Sequence, residues 1–178
     1  SHMLKTSGII KLPIFVDDKL KLNLKKFFKL QNKADFNIFL GDPNIREKIF
    51  KIFKKKKNLH YSTLILSNSK IYSNKIGKGC IIEHHVLVSN NVSMGISCLV
   101  LTGSIIGHNS KIGNFCNIGC NVCISGNVKI GRKVVIGSQS FISDNIKICD
   151  NVVISPGSII LKNITKPGIY SGNILIKS

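Results

Sequence analysis

Tryptophan is absent, only 8 of the 178 residues are Asp or Glu, and arginine occurs just at Arg46 and Arg132. Lys and Arg together number 26, so the net charge of +18 is carried almost wholly by lysine. A nucleic-acid reader leans on arginine forks and on aromatics interleaved with charge. Here the aromatics fall mostly in apolar runs of the first third, and no nucleic-acid partner is expected. The lysine excess reads as a solvated surface that keeps the protein soluble, and it would also attract a phosphate-rich ligand. Long apolar runs are missing too. Nothing approaches the roughly 20 residues of a membrane span, and Ile9 to Val16 is broken by Lys11 and Pro13, which removes it as a signal peptide. A cytoplasmic location is expected, in which the six cysteines are reduced thiols and not a disulfide frame. The opening Ser1-His2-Met3 reads as the remnant of a cleaved tag and is set aside, His2 with it.

What is present is a repeat. From Ile76 to Ile160, every sixth residue is Ile or Val except Met94. Four residues after each comes a second set that is small or β-branched throughout, from Cys80 and Val86 to Ser158 and Ile164. A period of six fits neither a helix at 3.6 nor one long strand at 2.0, but it fits a short strand and a corner, repeated. Three units close one triangular coil of 18 residues. Three residues after the aliphatic position stand Gly79, Asn91, Gly103, Asn109, Asn121, Asn127, Asn145, Asn151, Gly157 and Asn163. Gly and Asn tolerate left-handed φ/ψ, so these mark the corners. Weaker repeats at Leu59 and Ile65 extend the array, which is expected over 59–165 in roughly six turns.

Residues before about 58 follow other rules. Phe36 to Leu40 reads as a short strand ending at Gly41, with Asp42 as the N-cap of a helix and Pro43 at its first position. Ile45, Ile49, Ile52 and Phe53 keep helical spacing on one face, and Lys54 to Lys57 suit the C-terminal end of the helix dipole. Ile9 to Val16, ending in Asp17-Asp18, looks like an earlier strand. The division expected is therefore a tag remnant (1–3), a small α/β substrate-binding module (4–58), the coil (59–165) and a C-terminal tail (166–178).

Uninterrupted hexapeptides of the form Ile-Gly-x-x-Val-x resemble those of the hexapeptide acyltransferase superfamily. The fold this implies is mainly β, a left-handed parallel β-helix preceded by a small, incomplete α/β module. Within the array, Ile106-Gly107-His108-Asn109-Ser110-Lys111-Ile112-Gly113-Asn114-Phe115 and Ser125-Gly126-Asn127-Val128-Lys129-Ile130-Gly131 resemble the branch that acetylates nucleotide-linked 4-amino sugars and sialic acid precursors. Phe15-Val16-Asp17-Asp18 and Leu40-Gly41-Asp42 look like parts of that branch's nucleotide-sugar domain, and Gly172-Asn173-Ile174 echoes its Gly-Asn-Pro ending.

The resemblance implies a homotrimer with acetyl-CoA as co-substrate between adjacent coils and a sugar or nucleotide-sugar acceptor. His108 matches the general base, taking the proton of the attacking amine or hydroxyl. Asn109 stands where the family places the acidic residue that orients that base, and its amide oxygen can accept the imidazole N–H. The backbone N–H of Gly126 matches the donor to the thioester oxygen. Asn117, Ser125, Gly126, Gly137, Ser138, Ser155, Pro156 and Gly157 match positions that line the cofactor groove. Asp17, Asp18 and Gly41 match acceptor-binding positions. No metal is implied. The chain departs from the family in Asn109 for an acid, in Asn117 for a second histidine, and in lacking the strand and Gly-rich turn that would cradle a pyrophosphate. O-acetylation of a hydroxyl acceptor and a non-catalytic trimeric binding protein are the alternatives.

Other chemistry-bearing residues have plainer readings. Cys116-x-x-x-Cys120-x-x-Cys123 imitates a cluster-binding motif, but Cys80, Cys98 and Cys116 are spaced by 18 and stack at one inward position. His84 and His85 read as surface residues, and Glu83 as a lone carboxylate.

Overall fold

The computed structural model describes residues 34–178. The strand expected at Ile9 to Val16, together with Asp17 and Asp18, lies outside them. From Leu64 onward each hexapeptide makes a strand of two or three residues and a corner. Each strand pairs in parallel with the strand one coil ahead, as in Ile106↔Ile124, Ile112↔Ile130 and Ile118↔Ile136. Three flat faces result. The first runs from Lys70–Ile71 through Ile105–Ile106 to Ile159–Ile160, the second from Lys75–Ile76 through Lys111–Ile112 to Lys147–Ile148, and the third from Leu64–Ile65 through Asn117–Ile118 to Val152–Ile154.

The core is the aliphatic period itself, buried at every step from Ile82 to Ile160. A fully buried aliphatic side chain contributes about 1.5–3 kcal/mol, so one coil gains several kcal/mol from its three. The smaller inward set is also satisfied. Cys80, Cys98 and Cys116 donate Sγ–H to the carbonyls of Gly95, Gly113 and Gly131 at 3.0–3.1 Å, as the Ser104 and Ser110 hydroxyls do to Gly119 and Ser125. Thiol and hydroxyl thus fill one role. Burial pushes the Cys98 thiol above its ordinary range, consistent with an inert packing group.

The corner conformation belongs to the backbone, whatever the residue. Every corner from Gly79 to Gly157 has positive φ, including His85, Ser97, Phe115, Lys133 and Gln139, which lack the tolerance of Gly or Asn. Each of these costs about 1–2 kcal/mol, supplied by the strands on either side. Asn163 departs from the expectation: it is not among the positive-φ residues, and its side chain accepts the Lys147 N–H at 2.8 Å.

The preceding module is a parallel pair, Ala34–Phe36 with Leu59–Tyr61, joined through the helix Pro43–Phe53. Leu59, expected as the start of the coil, therefore belongs to this sheet, and the coil begins at Leu64. The strand expected at Phe36 to Leu40 lies earlier, at Ala34–Phe36. Asp42 caps the helix as expected, accepting the N–H groups of Asn44 and Ile45 at 2.7 and 3.3 Å. The buried helix face differs from the expected one. It is Pro43, Arg46, Ile49 and Phe53, while Ile45 and Ile52 are exposed. Arg46 takes the inward place because backbone carbonyls wait for its guanidinium there: Leu40, Ser97 at 3.0 Å, Phe115 at 2.9 Å and Cys116 at 3.3 Å. Desolvation lowers its pKa.

This module sits on one corner of the coil, the stack of Gly79, Ser97, Phe115 and Lys133. The Tyr61 ring lies over Gly79, where a Cβ would meet Tyr61 Cε1 at 2.0 Å. Its hydroxyl bonds Ser97 Oγ at 2.6 Å, and desolvation pushes its pKa up to about 12. Phe50 meets Phe115 edge to face at 5.7 Å, and Glu47 pairs with Lys133 at 2.5 Å. These contacts account for a phenylalanine and a serine at left-handed corners. At the other end, residues 166–178 are no loose tail. Gly168–Ser171 continues the third face and turns back as Ile174–Lys177, with Asn173 bonding the Leu161 and Lys162 N–H groups and the Lys162 carbonyl. This covers the open edge of the last coil.

Candidate functional site

His108 stands on the exposed corner between the first and second faces, one residue before the left-handed Asn109. Asn recurs at that corner, and the side chains bond along the stack: Asn91 Nδ2 to Asn109 Oδ1 at 3.3 Å and Asn109 Nδ2 to Asn127 Oδ1 at 3.1 Å. Asn109 Nδ2 also lies 3.1 Å from His108 Nδ1. The sequence expectation placed the amide oxygen there, and the structure places the nitrogen. A ring that accepts at Nδ1 carries its proton on Nε2. A half-turn of the three amides reverses every donor and acceptor in the chain, puts Oδ1 against Nδ1–H and leaves the Nε2 lone pair free. The ladder direction therefore sets the tautomer.

The imidazole leans across Gly126, the residue one coil ahead. A Cβ there would lie 2.6 Å from His108 Cε1 and 2.7 Å from Nε2, so only glycine admits the ring. Gly126 is itself buried, with Ser125 part-buried beside it. The Gly126 N–H, expected to await a ligand oxygen, already donates to Asp144 Oδ1 at 2.9 Å. Asp144, a further coil ahead, was missed by the sequence reading. Its signal was a spacing of two coils from His108.

The remaining expected site residues lie elsewhere on this chain. Asn117 and Gly41, assigned to different ligands, touch each other: Asn117 Nδ2 donates to the Gly41 carbonyl, and Asn117 Oδ1 is buried without a partner. Asn117 therefore helps seat the module on the third face. Gly137, Ser138, Ser155, Pro156 and Gly157 stack at the corner between the third and first faces. There a Cβ on Gly137 would meet Pro156 N at 2.4 Å, and Ser138 Oγ accepts the Cys120 N–H. This corner and the His108 corner are separated by the width of the first face.

Beyond Lys70 on its first strand, that face is apolar. Ile105, Phe141, Ile159 and Leu161 are exposed along it, with Leu87 and Cys123 part-buried in the same row. The second face is its opposite, with Lys111, Lys129 and Lys147 in register on adjacent strands and all exposed. Like charges directly opposite one another destabilise a sheet by a few tenths of a kcal/mol or more. Lys129 and Lys147 line a groove of about 670 Å³ with Cys149, Asp150, Asn163 and Pro167. Cys116 points inward, whereas Cys120 and Cys123 are part-exposed, so the three do not converge. Among the described residues no helix is long and apolar enough to cross a membrane.

Residues 127–162 match the family described as bacterial transferase hexapeptide (six repeats). No curated protein matches the chain in sequence. Among solved structures it is similar to PerB from Caulobacter crescentus in complex with CoA and GDP-perosamine. The TM-score is 0.72 at 16% identity, over 76% of this chain and 65% of that one. It is similar also to the acetyltransferase domain of PglB from Neisseria gonorrhoeae in complex with acetyl coenzyme A, with a TM-score of 0.75 at 20% identity over 82% and 71%. WeeI from Acinetobacter baumannii follows with 0.54 at 18% identity over 87% and 76%. The chain thus spans just under two thirds of PerB. The likeness is one of fold, the left-handed parallel β-helix with a small module before it.

Proposed function

We propose that the chain is a cytoplasmic acetyltransferase that moves the acetyl group of acetyl-CoA to an amino group of a nucleotide-linked amino sugar. The observation that carries this reading is the His108 imidazole, exposed and held over Gly126 on a hexapeptide coil. Likeness in fold to structures solved with CoA, acetyl-CoA and GDP-perosamine supports the choice of co-substrate and acceptor.

In this mechanism the acceptor amine attacks the thioester carbonyl carbon and a C–N bond forms. His108 Nε2 takes the amine proton, using the ladder direction in which Asn109 Oδ1 accepts from Nδ1–H. The oxygen of the tetrahedral intermediate is received by the Gly126 N–H. The intermediate then collapses, the C–S bond breaks, and the imidazolium returns the proton to the CoA thiolate. An imidazole suits both steps because its ordinary pKa near 6.5 lies close to neutrality.

The site is completed by a second copy. The cofactor-groove residues Gly137, Ser138 and Ser155 to Gly157 lie one face away from His108, and the face between is apolar and exposed. Packing around a threefold axis covers that face and brings His108 of one copy to the groove of the next, so the working form is a homotrimer. The lysine row on the second face attracts the cofactor's phosphates. The acceptor is received through Gly41, Asp17 and Asp18. Calorimetric titration of acetyl-CoA tests the reading: micromolar binding that weakens at high salt, by a trimer in light scattering, is expected. A monomer without affinity for acetyl-CoA contradicts it.

A further inference from the structure

On the reading above, the Gly126 N–H must be free when the thioester oxygen arrives, yet in this chain Asp144 holds it. We propose that Asp144 is a displaceable plug on the Gly126 N–H, a residue that sets how readily the site accepts an acyl oxygen. His108, Gly126 and Asp144 occupy one corner position of three successive coils. The imidazole leans over Gly126 from one side, and the Asp144 carboxylate takes the N–H at 2.9 Å. Gly126 is itself buried beneath the ring and the carboxylate, whereas Asp144 is exposed, free to rotate into solvent and uncover the N–H.

Similar bonds occur at other corners: Asn114 Oδ1 accepts the Ile96 N–H, Asp150 Oδ1 the Arg132 N–H and Ser138 Oγ the Cys120 N–H. At none of them does an imidazole stand one coil behind the donor, as His108 stands behind Gly126, and there the bond only satisfies a backbone donor. At Gly126 the same bond competes with the ligand. A carboxylate is a stronger acceptor than a thioester carbonyl, so the acyl oxygen gains the donor only by displacing it. CoA, which has no acyl oxygen, does not compete for this N–H. The plug therefore discriminates against acetyl-CoA and leaves CoA untouched.

The test compares wild type with Asp144→Ala and Asp144→Asn. In Asp144→Ala, kcat/KM for acetyl-CoA should rise about tenfold, the order expected of one part-buried charge-assisted hydrogen bond, while the Kd for CoA changes less than twofold. Asp144→Asn keeps a weaker acceptor and should fall between. The Gly126 amide proton should move upfield in Asp144→Ala, a readout independent of turnover. An unchanged amide shift overturns the contact, and kcat/KM at or below wild type in a folded Asp144→Ala overturns the plug. If neither protein binds acetyl-CoA, the acetyltransferase reading falls, and the plug with it.

Discussion

Replacing Gly126 by alanine keeps the backbone N–H and moves the His108 ring, whose atoms lie nearest the new methyl. Gly126 is not among the positive-φ residues, so a side chain there brings no backbone strain. The new methyl would lie 2.6 Å from His108 Cε1 and 2.7 Å from Nε2, against an ordinary contact of about 3.4 Å or more. The ring must retreat by roughly 0.8 Å, and because it projects from an exposed corner it can do so without disturbing the core. A displacement near 1 Å of a catalytic group can cost on the order of 10²-fold in rate. Gly126→Ala should therefore lose about 100-fold in kcat while its thermal midpoint stays close to that of the wild type. The assay is initial-rate release of CoA at saturating acetyl-CoA, run beside a thermal melt. Wild-type turnover in Gly126→Ala would refute the claim that the ring acts from its place over residue 126.

Other outcomes follow from the module seat and the ladder. Arg46→Ala leaves the Leu40, Ser97, Phe115 and Cys116 carbonyls without their donor and opens a cavity, a loss of about 3–5 kcal/mol. The module should detach while the coil keeps its own transition, seen as trypsin cutting between residues 34 and 63 ahead of the coil. Glu47 is held down to about 2, first by its hydrogen bond to Lys133 and then by that to Lys51. Its pKa is below the unfolded value, so this pair stabilises above about pH 4.5 and the contribution fades as pH falls toward 2. Unfolding free energies from urea titrations of wild type and Glu47→Gln should differ by about 1 kcal/mol at pH 7, after allowance for screening by solvent, and converge at the acid end. Asn109→Asp puts an acceptor against Nδ1 in every arrangement, so the ring nitrogen shifts measured by NMR should report the Nδ1–H tautomer. Nitrogen shifts unchanged from wild type would show that residue 109 does not govern the ring.

The coil was legible because its core repeats. A strict period of Ile and Val at the inward position leaves one way to bury them, and the stacking of Cys80, Cys98 and Cys116 follows from the same 18-residue arithmetic. The corners were read from Gly and Asn, and the structure extends the rule to Ser97 and Phe115, whose side chains gave no hint because contacts with the module hold them there. The module was harder. Leu59 looks like a repeat residue but pairs with Ala34, and helical spacing favoured Ile45 over Arg46 because a sequence does not show carbonyls waiting from a distant corner. At the site, the stacking of His108 over Gly126 was legible from their spacing of 18. Asp144 was not, because a lone exposed carboxylate acquires meaning only once the coils stack it above Gly126.

In the proposed function His108 is the base for acetyl transfer on this coil. That role is tested most directly by the rate of CoA release from acetyl-CoA with a panel of nucleotide-linked amino sugars, wild type against His108→Ala. Turnover with at least one acceptor is expected, with a loss of roughly 10² to 10⁴-fold in the variant and CoA affinity retained. Equal turnover in the two proteins would contradict it.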